Sequence, residues 1–163
     1  MNCGEIMEME IANSSVEEQL LRFYASFIGS DGCTWHEDYP NLEIIREDLK
    51  NQRTFMLQDE KGIVATISID DDQMIEELEI WEIPNAVEVA RIAVREDCQN
   101  QGIGVKVLRF MMDLLKKRGY EGMHFLVSQT NDKALACYEK IGFVNRGPLF
   151  LYNVNWYCYE IKL

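Results

Sequence analysis

The segment Gln99-Asn100-Gln101-Gly102-Ile103-Gly104 sets two glycines between a β-branched run, Val87–Val94, and the start of an amphipathic one. Amide N–H groups at a helix start have no intrahelical partner and the helix dipole is positive there, so such a loop suits a phosphate. Glycine lets the backbone approach the anion closely. No Gly-Lys-Ser/Thr follows, which excludes a Walker loop. A dinucleotide fingerprint needs a third glycine where Val107 stands, and an acidic strand end about twenty residues on; neither is met. Cys98 and Cys137 are possible nucleophiles, but neither has a histidine beside it in sequence. His36 and His124 are the only histidines, and His124 alternates along a buried strand, as a structural residue does.

The elements that must position these groups are legible from periodicity. Val16, Leu20, Phe23 and Phe27 recur at helical spacing behind a Ser14–Ser15 cap, and a polar loop and a second acidic helix, Leu42–Leu49, follow. Thr54–Gln58 and Ile63–Ile69 read as a hairpin around Asp59-Glu60-Lys61-Gly62, and Val87–Val94 as a third strand. Gly102–Arg118 is the clearest helix. Val105, Leu108, Met112 and Leu115 form its stripe, widened by Val107 and Met111, and Gly119 ends it. Met123–Ser128 is a strand and Asn131–Lys140 a helix stopped by Gly142; Phe143–Tyr152 and Trp156–Ile161 form a closing hairpin. A strand–helix–strand crossover of this length implies parallel neighbours, and the flanking hairpins imply a mixed sheet.

Composition narrows the partners. The 163 residues suit one domain, with no repeat or linker. Sixteen basic against 28 acidic residues give a net charge of -12. That surface repels phosphate backbones and anionic lipid, so neither nucleic acid nor membrane is an expected partner. Five widely spaced cysteines with no CxxC pair argue against a disulfide framework or zinc site and suit a reducing cytosol. The first eleven residues carry three glutamates and no basic residue, unlike a signal peptide. No apolar run approaches the roughly 20 residues of a membrane span. A cytoplasmic location is the expectation.

The glycine loop fits a third pattern, Gln/Arg-x-x-Gly-x-Gly/Ala, and through it the chain resembles the GNAT superfamily of acetyl-CoA-dependent N-acetyltransferases. The motif reads Gln99-x-x-Gly102-x-Gly104, soon after Arg91-Ile92-Ala93-Val94. A second family element follows, Asn131-Asp-Lys-Ala134-Leu135-Ala-Cys-Tyr138-Glu139-Lys-Ile-Gly142-Phe143. The resemblance covers Val87 to about Gly147; before that only the order of elements matches. It implies a single domain over residues 1–163 with a twisted mixed α/β sheet of about six to seven strands and about four helices. Two splayed parallel strands would hold the cofactor.

By this resemblance, main-chain groups of Ile92, Ala93 and Val94 hold the pantetheine arm of acetyl-CoA. Gln99, Asn100, Gln101, Gly102, Ile103 and Gly104 wrap its pyrophosphate, and Asn131 and Ala134 touch it where the next helix begins. Glutamine at position 99, where arginine is also common, removes one charge contact to phosphate. Tyr138 matches the general acid; a phenol with a pKa near ~10 suits protonation of a departing thiolate. A backbone N–H near Ile92 would polarise the carbonyl. Glu88 is in register with the base of one branch of the family, and a water chain is the alternative. If strand alternation holds, Glu88 shares a face with Ala90, Ile92 and Val94.

The acceptor is expected to be a primary amine on a small molecule, polyamine or protein. From Asp70 to Glu88 the chain carries eight carboxylates and no Lys or Arg. This is either a solvated loop or the border of a groove for a cationic amine. Trp35 and Tyr39, with Glu88, are the candidate acceptor contacts; Trp35 serves equally as a loop anchor. Phe150–Tyr152 and Trp156–Tyr159 offer an apolar face for a homodimer or a plain core. The other reading of the whole chain is a non-catalytic acyl-CoA-binding sensor or subunit. It would share the loop but have no need of Tyr138 and Glu88.

Overall fold

The computed structural model describes residues 7–163. Its strands are β1 (Glu10–Ile11), β2 (Thr54–Asp59), β3 (Gly62–Ile69), β4 (Ala86–Val94), β5 (Gly122–Ser128), β6 (Val144–Leu151) and β7 (Val154–Lys162). Its α-helices are α1 (Glu17–Ala25), α2 (Leu42–Lys50), α3 (Gln73–Glu76), α4 (Ile103–Lys117) and α5 (Asp132–Ile141). The strands follow the order β1-β2-β3-β4-β5-β7-β6 in one mixed seven-stranded sheet. β4 and β5 are parallel, with Ala86, Val87 and Glu88 opposite Gly122, Met123 and His124. β4 continues to Val94 beyond that ladder.

The chain divides into two compact units, the first comprising the chain up to Gly29, Trp35–Ser68 and Arg91–Phe110. Its core is built by Leu20, Phe23 and Tyr24 of α1, Ile45 and Leu49 of α2, and Met56, Ile63 and Ala93 of the strands. Removing side chains of this size from water stabilises the fold by about 1.5–3 kcal/mol each. The β2–β3 hairpin turns at Gly62, whose φ of +123° suits glycine. The Asp59 carboxylate accepts from the Lys61 amide at 2.8 Å across that turn.

The second unit comprises Ser30–Thr34, Ile69–Ala90 and Met111–Leu163. β7 pairs antiparallel with β5 on one side and β6 on the other. Phe125, Tyr138, Phe143 and Tyr159 pack ring against ring between α5 and the sheet. Glu160, fully buried, accepts from the amides of Glu82 and Ile83 at 3.1 Å each and from Arg146 Nε at 2.8 Å. That carboxylate fixes the approach to β4.

Several expectations need correction. The cap of the first helical segment is Asn13, whose side chain accepts from the Ser15 amide; Ser14 and Ser15 lie inside a 3₁₀ turn. An Asx side chain competes well for this role. Part of the acidic stretch, expected as a loop, folds a short helix, α3, capped by Asp72, one of five α-helices among the described residues. The buried stripe of α4 centres on Ile103, Val107, Leu108, Met111 and Leu115, while Val105 and Met112 are only half-buried. The loop sets the rotation of this helix, and apolar spacing alone leaves a one-residue ambiguity.

Candidate active site

In the first unit the site begins at an anomaly in β4. Arg91 has φ of +51° in mid-strand, a left-handed conformation that costs a non-glycine residue about 1–2 kcal/mol. A left-handed residue departs from extended geometry and interrupts regular alternation. A shared face for Glu88 with Ile92 and Val94 therefore does not follow from alternation alone. Arg91 is 4 % exposed and Asp48 of α2 is 3 % exposed. Arg91 Nε and Nη2 donate to the two Asp48 carboxylate oxygens at 2.8 and 3.0 Å. Nη1 donates to the Tyr39 hydroxyl at 3.2 Å, and the Arg91 carbonyl accepts from Thr66 Oγ1 at 2.9 Å.

Below β4 the chain enters the loop through Arg95, whose amide donates to the Val64 carbonyl at 2.7 Å. Its guanidinium bridges Asp59 and Asp97, each at 2.6 Å. Hydrogen bonding from Arg95 draws the Asp59 carboxyl down to about 2. Gln99 Nε2 donates to the Val94 carbonyl at 3.0 Å and Gln101 Nε2 to the Asp97 carbonyl at 3.1 Å. Both side chains are thus engaged with the protein's own main chain. Asn100 and Gly102 have φ of +60° and +80°, and apart from its own chain neighbours no atom lies within 4 Å of where a Gly102 Cβ would sit. Gly104 has Val94 Cγ2 at 4.0 Å from its Cβ position. The first α4 bond, Lys106 N–H to the Gly102 carbonyl at 3.0 Å, follows directly. Open space over a left-handed glycine at a helix start fits a pyrophosphate held by main-chain N–H groups.

The two residues expected at the acceptor wall have definite partners in this unit. Trp35 packs edge-on against Tyr24 and Phe27, with ring centroids at 5.3 and 5.8 Å, and so anchors its loop in the core. Tyr39 is half-buried and holds Arg91.

In the second unit, Glu88 is 3 % exposed and its amide donates to Glu76 Oε1 at 2.7 Å. The same oxygen lies 3.2 Å from His124 Nε2. The His124 ring stacks on Trp81 at 4.2 Å and 9°, and Trp81 Nε1 donates to the Ile75 carbonyl at 2.7 Å. The Tyr152 hydroxyl donates to Asp72 at 2.8 Å; desolvation, then Asp72, Glu88 and Asp70, push it up to about 12. Part of the acidic stretch is therefore folded around named partners. Tyr138 is half-buried, and burial raises its hydroxyl above the ordinary phenol range. Asn131 caps α5, its Oδ1 accepting from the Ala134 amide at 3.3 Å.

The cysteines close one route. Cys98 is fully buried and disulfide-bonded, which corrects the inference drawn from spacing, since separation in sequence does not report proximity in space. Burial raises the Cys137 thiol, the opposite of what a nucleophilic thiolate needs. Among the described residues no group of three or more His, Cys, Asp or Glu could hold a metal ion, and no helix is long and apolar enough to cross a membrane. Asp48 and Trp81 carry no signal in the sequence, Glu76 is visible there only as one carboxylate of the Asp70–Glu88 run, and Arg91 has no expected role. The one available signal was an arginine in a strand whose only other charged residue is Glu88.

Residues 18–143 match the family model of the acetyltransferase (GNAT) family, and the chain belongs to that family. It is 31 % identical over 80 residues, 44 % of its length, to the probable N-acetyltransferase camello of Xenopus laevis. It is 42 % identical over 52 residues, 32 % of its length, to the [ribosomal protein bS18]-alanine N-acetyltransferase of Escherichia coli K12. The chain spans only 36 % and 35 % of the length of these two curated relatives. Its fold superposes on yncA of Salmonella typhimurium, solved with its cofactor acetyl-CoA, with a TM-score of 0.75 at 13 % identity, covering 96 % of this chain and 94 % of that one.

Proposed function

We propose that this protein is an N-acetyltransferase that moves an acetyl group from acetyl-CoA directly to a primary amine. The observation that carries the reading is the glycine loop: Gly102 is left-handed, its Cβ position is open, and α4 starts immediately after it. Family membership supports the same cofactor. Bound there, acetyl-CoA supplies an activated thioester. Main-chain groups of Ile92, Ala93 and Val94 hold the pantetheine arm, and residues Gln99–Gly104 hold the pyrophosphate. Asn131 and Ala134 add contacts at the start of α5.

In the transfer the amine nitrogen forms a bond to the acetyl carbon as the carbon–sulfur bond breaks. Tyr138 gives its hydroxyl proton to the departing sulfur. Burial raises the hydroxyl above the ordinary phenol range, so it is protonated across the working range and is a weaker acid than a free phenol. Glu88 takes the proton released by the amine, directly or through water. An N–H in the Arg91–Val94 segment polarises the thioester carbonyl. Carboxylates of the Asp70–Glu88 segment favour a cationic acceptor, and the protein-amine acceptors named for the E. coli relative support a protein amine as one class.

The direct test is release of free CoA by the purified protein given acetyl-CoA and a panel of polyamines, aminoglycosides and peptides. Amine-dependent release that falls on Tyr138→Phe is expected. No release with any amine, and no effect of that substitution, overturns the reading in favour of a binding module.

A further inference from the structure

One arrangement in the first unit is not used by the catalytic reading. A long cationic side chain sits in a left-handed conformation inside a strand, with its charge removed from water. We propose that Arg91 is a positioning residue: tied to Asp48 and Tyr39, it fixes the kink of β4 from which Ile92, Ala93 and Val94 present their main-chain groups to acetyl-CoA. The tie stands on geometry alone; its ligand rests on the acetyl-CoA reading above.

Three elements converge on this one residue. α2 supplies the bidentate Asp48 carboxylate at 2.8 and 3.0 Å, the loop before α2 supplies Tyr39 at 3.2 Å, and β3 supplies Thr66 at 2.9 Å. A guanidinium buried to 4 % exposure requires such a partner, because an uncompensated charge there is strongly unfavourable. The planar fork of arginine, unlike a lysine ammonium, pairs with a carboxylate bidentately and so fixes its orientation, here through Nε and Nη2. The side chain therefore locks the residue that carries it.

Thr66 completes the device. It holds the Arg91 carbonyl, and the peptide bond is planar and trans, so the Ile92 N–H of the same peptide unit must point the opposite way. The threonine thus aims the N–H that the mechanism needs for the thioester carbonyl. Four residues later the Arg95 amide ties the strand end to the Val64 carbonyl at 2.7 Å. The segment between these two ties is the stretch assigned to the pantetheine arm. Tyr39 also makes the loop before α2 a mechanical neighbour of that stretch. Its role moves from acceptor wall to support of the cofactor strand.

The test uses Asp48→Asn, Asp48→Glu, Arg91→Gly and Thr66→Val. Arg91→Gly accepts the left-handed backbone but leaves the Asp48 carboxylate buried without its partner, so it is also made together with Asp48→Asn, which removes both charges and keeps the test falsifiable where a single variant fails to fold. Mass-spectrometric hydrogen exchange of the segment 89–95 in the protein without ligand is measured beside titration with acetyl-CoA. Exchange at least tenfold faster and acetyl-CoA binding at least tenfold weaker are expected for Asp48→Asn and Arg91→Gly. Thr66→Val should behave in the same direction, and Asp48→Glu should partly restore both. A purely structural role lowers Tm but leaves the dissociation constant of the folded protein unchanged, and that result overturns the proposal. Unchanged exchange also overturns it, whether or not acetyl-CoA binds. Failure of the wild type to bind acetyl-CoA instead overturns the acetyl-CoA reading, and exchange then decides the tie alone.

Discussion

The Glu88 amide and the Glu76 carboxylate are 2.7 Å apart, and the same Glu76 oxygen lies 3.2 Å from His124 Nε2. The short helix α3 is thereby tied to β4 and β5 at the one register position where Glu88 faces His124. A buried amide that loses a charged acceptor costs about 1–3 kcal/mol. Glu76→Ala should lower unfolding free energy by about that amount in denaturant melts. Glu88→Gln, which keeps the Glu76 bond because the bond is made by main chain, should instead spare stability and lower kcat by about 10²-fold or more. Equal activity of wild type and Glu88→Gln would assign the proton to the water chain.

Tyr138→Phe removes only a hydroxyl and leaves the ring among Phe125, Phe143 and Tyr159. Thermal stability should change little. If the hydroxyl protonates the leaving sulfur, kcat should fall by about 10²-fold. Weakened folding with full activity in the folded fraction would mean that the residue is only a packing group.

Two left-handed glycines should respond differently to alanine. At Gly102, φ is +80° with open space at the Cβ position, so Gly102→Ala should cost about 1 kcal/mol of stability through backbone strain alone. At Gly32, φ is +77° and the added Cβ would stand 2.8 Å from the Asn131 Cα. That contact is with backbone and cannot yield cheaply, so Gly32→Ala should cost more, about 2–3 kcal/mol, and disturb the α5 cap. Urea unfolding of both variants checks the order.

The Asp59 carboxyl is drawn down to about 2 by its hydrogen bond from Arg95. A depressed carboxylate stabilises the fold above the unfolded pKa of about 4, and that contribution is lost as pH falls through about 2. The pair is partly exposed, so solvent screening limits its worth to about 1 kcal/mol. Asp59→Asn should therefore be less stable than wild type at neutral pH, and the difference should vanish between about pH 4 and pH 2. A pH series of melts decides it.

Much of this was legible in the amino-acid sequence, and the rest was not, for identifiable reasons. The loop Gln99–Gly104, α4, α5 and the final hairpin are local patterns of glycine, capping and apolar period, and each is found within one or two residues of its expected bounds. The Asp48–Arg91 pair joins residues 43 apart, and nothing in either segment announces the other. The left-handed Arg91 was hidden because arginine gives no hint of positive φ, as glycine does. α3 was masked by its charge, since carboxylates at helix starts look like a solvated loop until their partners are known. Trp35 was open to two readings, and its packing on Tyr24 and Phe27 is a tertiary contact.

The whole site turns on the loop at Gly102 as the seat of acetyl-CoA. Isothermal titration of the protein with acetyl-CoA, repeated with Gly102→Glu, tests it most directly. Saturable binding of the wild type, abolished by a carboxylate placed where the pyrophosphate should lie, is the predicted result. No binding by the wild type, or equal binding by both proteins, would contradict it.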